Sequence, residues 1–413
     1  MTHDVVVIGA GLAGLRAAVR LARAGRGVLI VEASDVIGGR QRTDAVDGFL
    51  LDRGFQVLNP AYPAVRRWVD VDALGMRAFP VGVRVRRNSR TVDLRHPLRH
   101  PGGIPATLGS GLVAPRDLLA LARWIAPALA RPRRAIAGPD RSLREGWDAV
   151  GLRGPLRTEV LEPFLAGVLA DGDFTTSDVF AQLLVRMFVL GRPGVPERGI
   201  AALPAQLALA ARQSGAEIRV ETRIARIRPR ADAVELDIAG GDALRARSVV
   251  VAVGPESVSG LIDVPRPATR GLQTWWFAAD EAPTASALLS VDGRRRGPVV
   301  NTVVMSHAAP SYAPPGRHLV AATCLLPGGA EPATEAEVRR QVGEIWDART
   351  TRWELLRRDD IPHALPAQHP PLQVAPPVRL GARVYVAGDH RATASIQGAL
   401  VSGERAARAV LAS

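Results

Sequence analysis

Lysine is absent from this chain of 413 residues, so all 53 of its Lys+Arg positions are arginines. No catalytic step can rest on a lysine amine. Cys324 is the single cysteine, which excludes an intramolecular disulfide and suits a reducing compartment. Aromatic residues make up only 4%, leaving few platforms for base stacking, and no nucleic-acid-binding fold is in view, so no nucleic-acid partner is expected. There is no unbroken apolar run of about eighteen residues, which excludes an ordinary membrane-spanning helix. The first residues lack a basic start and their apolar run breaks at glycines, so they read as a strand rather than a secretion signal. The expected location is cytoplasmic, with peripheral membrane contact left open, and no metal site is expected.

What is present suits a soluble globular protein of two to three domains, with 47% hydrophobic and 23% charged residues. The formal charge is +13, and some of the arginines cluster, at Arg84–Arg87, Arg131–Arg134 and Arg294–Arg296. A GC-rich genome explains arginine in place of lysine, while the clusters leave room for an anionic substrate or lipid surface.

The informative segments lie at the two ends. Val5 to Ile8 is an apolar strand, followed by Gly9-Ala10-Gly11-Leu12-Ala13-Gly14 at a helix start. Gly9 suits the tight turn, Gly11 lets backbone approach a pyrophosphate, and Gly14 lets the helix pack closely on the strand. A second strand, Gly27 to Val31, ends in Glu32, eighteen positions after Gly14. An acidic residue there accepts hydrogen bonds from an adenosine ribose. Near the other end, a strand from Arg383 to Ala387 leads into Gly388-Asp389, and a helix is expected over Ser395 to Ala409. Its N-terminus offers backbone N–H groups and a positive dipole end to an anionic ring edge.

Glu32-Ala33, Gly38-Gly39-Arg40 and the C-terminal segment resemble the flavin-dependent amine oxidase superfamily, which includes amine oxidases, protoporphyrinogen oxidases and phytoene-type desaturases. The resemblance is specific over about a quarter of the chain. It implies non-covalent FAD, held by Gly9, Gly11, Leu12, Ala13, Gly14, Glu32, Ala33, Gly38, Gly39 and Arg40. Gly54, Phe55, Gln56, Ile224, Gly388, Asp389, Ser395, Ile396, Gln397 and Ala399 complete the implied set. Arg40 would meet pyrophosphate charge, Gly54 and Gln56 would pass beside the isoalloxazine, and Ile224 would hold adenine through its backbone.

The fold class implied is α/β: a Rossmann-like FAD-binding domain in three segments, 1–75, 198–260 and 375–413. A second, α+β substrate domain would be built from two insertions. The first, 76–197, reads as largely helical, including a helix from Arg116 to Leu129 limited by Pro127. The second, 261–374, reads as strands at Gln273–Ala278, Val299–Met305 and His318–Leu326, a helix at Glu335–Trp346 and a further stretch at Trp353–Arg357. It should form a mixed sheet flooring the substrate pocket.

The reading for chemistry is two-electron dehydrogenation by hydride transfer to flavin N5, desaturase-like, on a lipophilic or polycyclic small molecule. The lysine that many amine oxidases place near N5 is missing. Where they carry an aromatic-cage tyrosine this chain has Ser395, with Ala392, Thr393 and Ala394 beside it. A protoporphyrinogen-type oxidation, an amine oxidation and a flavin-dependent non-redox isomerisation are the alternatives. Pocket candidates are Ser395 with Trp275 and Phe277, since strand alternation lets either that pair or Trp276 alone face the pocket. Phe180, Met187 and Phe188 fit core packing better than substrate contact. His363 is the candidate acid–base residue. His390 is better suited to a phosphate-side or capping role than to flavin attachment.

Overall fold

The computed structural model describes residues 2–95, 100–326 and 331–413. Two sheets of seven strands each organise the chain. In the first, Thr2–Ile8 lies between Val28–Val31 and Leu244–Val251, all parallel, with Glu217–Arg219 beyond Val28–Val31. Val384–Val386 joins Leu244–Val251 in parallel along Val249–Val251, while Val234–Ile238 pairs with the start of that same strand. The sheet is thus assembled from three stretches of sequence far apart in the chain.

These parallel strands are buried on both faces, which is why they read as unbroken Val/Ile/Leu runs. Alternation sends Val5, Val7, Ile30 and Val250 toward the helices Leu12–Ala22, Ala202–Gln213 and Ile396–Leu411. Val6, Ile8, Leu29 and Val251 point the other way, against Ile224, Val234, Leu236 and Val258. The first and last helices meet directly: a methyl on Gly403 would lie 2.1 Å from the Ala13 carbonyl oxygen. Arg16 and Glu404 form a buried ion pair across the same contact.

The second sheet runs Glu354–Pro366, Thr269–Ala279, His318–Leu326, Val299–Val304, Leu289–Asp292, Gly82–Arg86, Thr91–Arg95. It is mixed, because Leu289–Asp292 pairs in parallel with Gly82–Arg86. One face carries Trp275, Phe277, Val320 and Cys324 under the helix Glu335–Trp346. The other carries Trp276, Ala278, Val303 and Ala321 against Phe49, Leu51 and Tyr312.

Two details depart from expectation. The stretch 76–197 is largely helical, but Gly82–Arg86 and Thr91–Arg95 form a hairpin on the second sheet. Val83 and Val85 face inward while Arg84 is held at the surface by Asp93 at 2.7 Å, so the arginines masked a period of two. Pro127 does not end its helix, which runs from Pro115 to Ala130. The missing N–H strips a partner only from the carbonyl of Arg123, an exposed residue where water can serve. This helix packs with Leu143–Val150, Glu162–Leu169 and Asp178–Leu190 around Trp124, Trp147 and Phe174.

Candidate active site

A cleft of about 690 Å³ opens where four parallel strands of the first sheet end at their carboxyl sides. Ile8 is followed by Gly9, Val31 by Glu32, Val251 by Ala252–Gly254, and Val386 by Gly388–Asp389, each contributing to its wall. The chain runs out of each strand with backbone groups freed from the ladder, so polar atoms converge there.

Gly9 has φ of +103°, and a methyl on it would stand 2.7 Å from the Ala252 carbonyl oxygen. A methyl on Gly14 would stand 2.0 Å from the Gly9 carbonyl oxygen, so helix and turn can close only over glycine. Gly11 differs: nothing lies within 4 Å of where its Cβ would be, and it faces the cleft. It is also the N-cap of Leu12–Ala22 and supplies no side-chain cap. The first-turn N–H groups are therefore available to an anion, in a position kept clear of side chains.

Glu32 is held in place by its neighbours. Its carboxylate accepts the Ala10 N–H at 2.8 Å, the Ser34 N–H at 3.0 Å and the Ser34 hydroxyl at 2.8 Å. Thr222 N–H donates to the Glu32 carbonyl at 2.7 Å, which draws Arg223 and Ile224 alongside Glu32 and Ala33 in the wall. Gly38 N–H donates to the Ala10 carbonyl at 2.9 Å, docking the Gly38-Gly39-Arg40 loop on the glycine turn.

Arg40 links the two ends of the chain and both sheets. Its Nη2 donates to Asp389 at 2.6 Å and its Nη1 to the Ala364 carbonyl at 2.7 Å. The side chain remains one-third exposed, in the cleft wall. Both ring nitrogens of His390 are buried and meet no polar group among the described residues; burial lowers its pKa to about 4.

These features fit an FAD dinucleotide: an uncapped helix start with a clear approach that could receive the pyrophosphate, an anchored acid, Glu32, that could meet a ribose, and a fixed guanidinium, Arg40, that could face phosphate charge. Among the described residues, no three His, Cys, Asp or Glu side chains gather to hold a metal ion.

The structure brings Gly9, Gly11, Leu12, Ala13, Glu32, Ala33, Gly38, Gly39 and Arg40 together in the cleft. Ile224, Gly388, Asp389, Ala399 and His363 join them there. Gly14 lies behind the turn. Gly54 and Phe55 lie against the second sheet, where the Phe55 N–H reaches Thr274 Oγ1 at 3.4 Å and a methyl on Gly54 would meet Ile361 at 2.7 Å. The Gln56 amide is committed to the carbonyls of Arg40 at 2.7 Å and Arg53 at 3.0 Å, so it ties two loops together. The helix begins at Ile396, and Ser395 is its N-cap, accepting the Gly398 N–H at 3.1 Å. Ile396 packs against the first core, and the Gln397 side chain accepts the Ala64 N–H at 2.8 Å. The Gln397 amide oxygen is therefore already engaged.

Trp275 and Phe277 do not face the cleft. They are buried with Val338, Val342 and Ile345 on the far side of the sheet, and Trp276 shares the near face with Thr274. Alternation paired the rings as expected, and the face they take is the one covered by the helix Glu335–Trp346. Phe180 lies in the helical core and Phe188 packs edge-on against Phe164 at 5.5 Å. His363 sits on the strand Glu354–Pro366 with its Nδ1 at 2.8 Å from Thr269 Oγ1.

Sequence reasoning missed Val253, Gly254 and Glu256 in the wall, and Asp360 and Ile361 opposite. The rule that ligands gather at carboxyl ends of parallel strands points to Val253–Gly254 once Ser248–Ala252 is read as a strand. The role of the second sheet's edge had no local signal.

The fold and cleft define an FAD-dependent oxidoreductase. A family model of flavin containing amine oxidoreductases matches residues 12–411, and the chain belongs to that family. Hydroxysqualene dehydroxylase of Rhodopseudomonas palustris is 29% identical over 443 residues, covering 100% of this chain and 99% of its own. Among solved structures, an oxidoreductase from Methanosarcina mazei superposes with a TM-score of 0.77 at 19% identity, covering 97% of this chain and 99% of that one. A putative protoporphyrinogen oxidase from Exiguobacterium does so with 0.72 at 18%, covering 100% of both. At these identities the two structures speak to the fold.

Proposed function

We propose that this enzyme dehydrogenates a lipophilic small molecule, desaturase-like, taking from it a hydride, which bound FAD would accept at N5, and a proton, which the protein would accept. The observation that carries the reading is the chemistry at the start of the C-terminal helix. Residues 392–395 are Ala-Thr-Ala-Ser; Ala392 and Ala394 are buried, and the Ser395 hydroxyl is engaged in capping. A cation-binding pair of rings has no place there, which argues against an amine substrate. The full-length similarity to an enzyme named for hydroxysqualene supports a polyisoprenoid donor.

Bound FAD supplies a two-electron acceptor. The chain's own residues hold it and exclude water, contributions that suffice where an apolar C–H bond must be oriented. We read His363, which lines the cleft, as the acceptor of the accompanying proton; with its Nδ1–H donating to Thr269 Oγ1, Nε2 would be the accepting atom.

Anaerobic mixing of the holoenzyme with polyisoprenoid alcohols, a porphyrinogen and aliphatic amines tests the reading directly. Bleaching of the visible flavin absorbance by a polyisoprenoid alone is expected. Bleaching by an amine, with none by the isoprenoids, would replace the proposal with an amine oxidation. Loss of turnover on His363→Ala, with flavin content unchanged, is expected for the proton acceptor.

A further inference from the structure

The helix Pro115–Ala130 has an unusual outer face. A solvent-facing helical surface is ordinarily polar. Of ten exposed positions here, only Arg116 and Arg123 are charged; the rest are Leu, Ala and Pro. Leu118, Leu119 and Leu129 are 44%, 52% and 36% exposed. At 100° per residue they fall with Ala122, Ala126 and Ala130 in one continuous arc, with Arg116 and Arg123 along its border.

A second observation adjoins that arc. Arg123, Arg131, Arg134 and Arg141 line a hollow of about 480 Å³ beside the helix. None of the four forms an ion pair among the described residues. The nearby acids are buried or hydrogen-bonded elsewhere. Asp117 is buried, Asp178 accepts Trp124 Nε1 at 2.6 Å and Gln182 Nε2 at 3.0 Å, and Asp140 accepts Ser177 Oγ at 2.7 Å. The following helix, Pro132–Ala137, has no buried residue and adds Arg133 to the same surface.

We infer that this face docks on an anionic lipid surface, with Leu118, Leu119 and Leu129 entering the acyl boundary. Arg123, Arg131 and Arg134 would receive phosphate headgroups. Apolar side chains bordered by unopposed guanidinium groups match both layers of such an interface. A protein partner would meet the leucines equally well, but the one-sided charge selects an anionic surface. The inference concerns a face built from other residues than the cleft and does not depend on which substrate the cleft takes.

Flotation of the FAD-loaded protein with vesicles tests it. Binding to vesicles containing phosphatidylglycerol is expected, falling with added salt, with little binding to phosphatidylcholine alone. Leu118→Glu/Leu119→Glu should abolish flotation while the flavin spectrum and melting temperature stay unchanged, because both side chains are exposed. Arg131→Ser/Arg134→Ser should weaken binding on the order of tenfold or more, whereas Arg212→Ser/Arg226→Ser, on the other domain, should not. Absent flotation, equal binding to both vesicle types, or retained binding by the leucine variant overturns the inference. A dimer that the leucine variant splits, without vesicle binding, assigns the face to a second copy and overturns it too. Calorimetric saturation by inorganic phosphate without flotation would assign the hollow to a soluble anion and likewise overturn the lipid assignment.

Discussion

Arg16 and Glu404, 388 positions apart in sequence, form an ion pair buried between the first and last helices of the flavin domain. Trp68 lies 4.5 Å from the Arg16 guanidinium, and Arg408 donates to the other Glu404 oxygen at 2.9 Å. Removing one partner strands a charge where water cannot reach it. Glu404→Leu is therefore expected to cost about 3–5 kcal/mol in chemical denaturation. The double change Arg16→Met/Glu404→Leu should recover most of that loss, since two apolar side chains can fill the same contact.

Two glycines three residues apart should respond in opposite ways. Gly11→Ala meets no atom of the protein, so the apoprotein should melt as the parent does while its affinity for FAD falls at least tenfold by calorimetry. Gly14→Ala drives a methyl into the Gly9 carbonyl, and loss of folded protein on expression is the expected result.

Glu32→Gln should weaken FAD retention during gel filtration. A carboxylate accepting three hydrogen bonds from Ala10 and Ser34 is replaced by an amide that must turn an N–H toward one of those donors. Unchanged flavin content would remove Glu32 from the cofactor site.

Burial raises the Asp178 carboxyl to a pKa of about 6. The folded state thus holds this proton more tightly than the unfolded chain does. Its stabilising contribution is full below the unfolded carboxylate range and is lost as pH rises through about 6. Asp178→Asn can keep both the Trp124 bond and, with the Gln182 amide turned over, the second one. The stability of Asp178→Asn relative to the parent should therefore rise by about 1–2 kcal/mol between about pH 5 and pH 8, measured by urea unfolding.

The first sheet is legible in sequence because its central parallel strands are buried on both faces, and the first two end at Gly9 and Glu32. The second domain is less so. In Gly82–Arg86 the side chains that leave the sheet are arginines, which hide the inward Val83 and Val85. For Trp275 to Phe277, period-two alternation sorts the rings but has no knowledge of the helix that arrives sixty residues later. Ser395 and Gln397 carry the residue types of a ligand site, yet the structure engages their side chains with the Gly398 and Ala64 N–H groups. Which partner a polar side chain selects is decided by tertiary proximity.

The strand Val384–Val386 slots beside Leu244–Val251, and Asp389 then reaches back to Arg40. During synthesis, everything from Gly9 to Glu256 emerges from the ribosome before these residues exist. Cofactor capture therefore has to wait for residues 384–389, and a nascent polypeptide stalled before residue 384 should remain without flavin however long it waits.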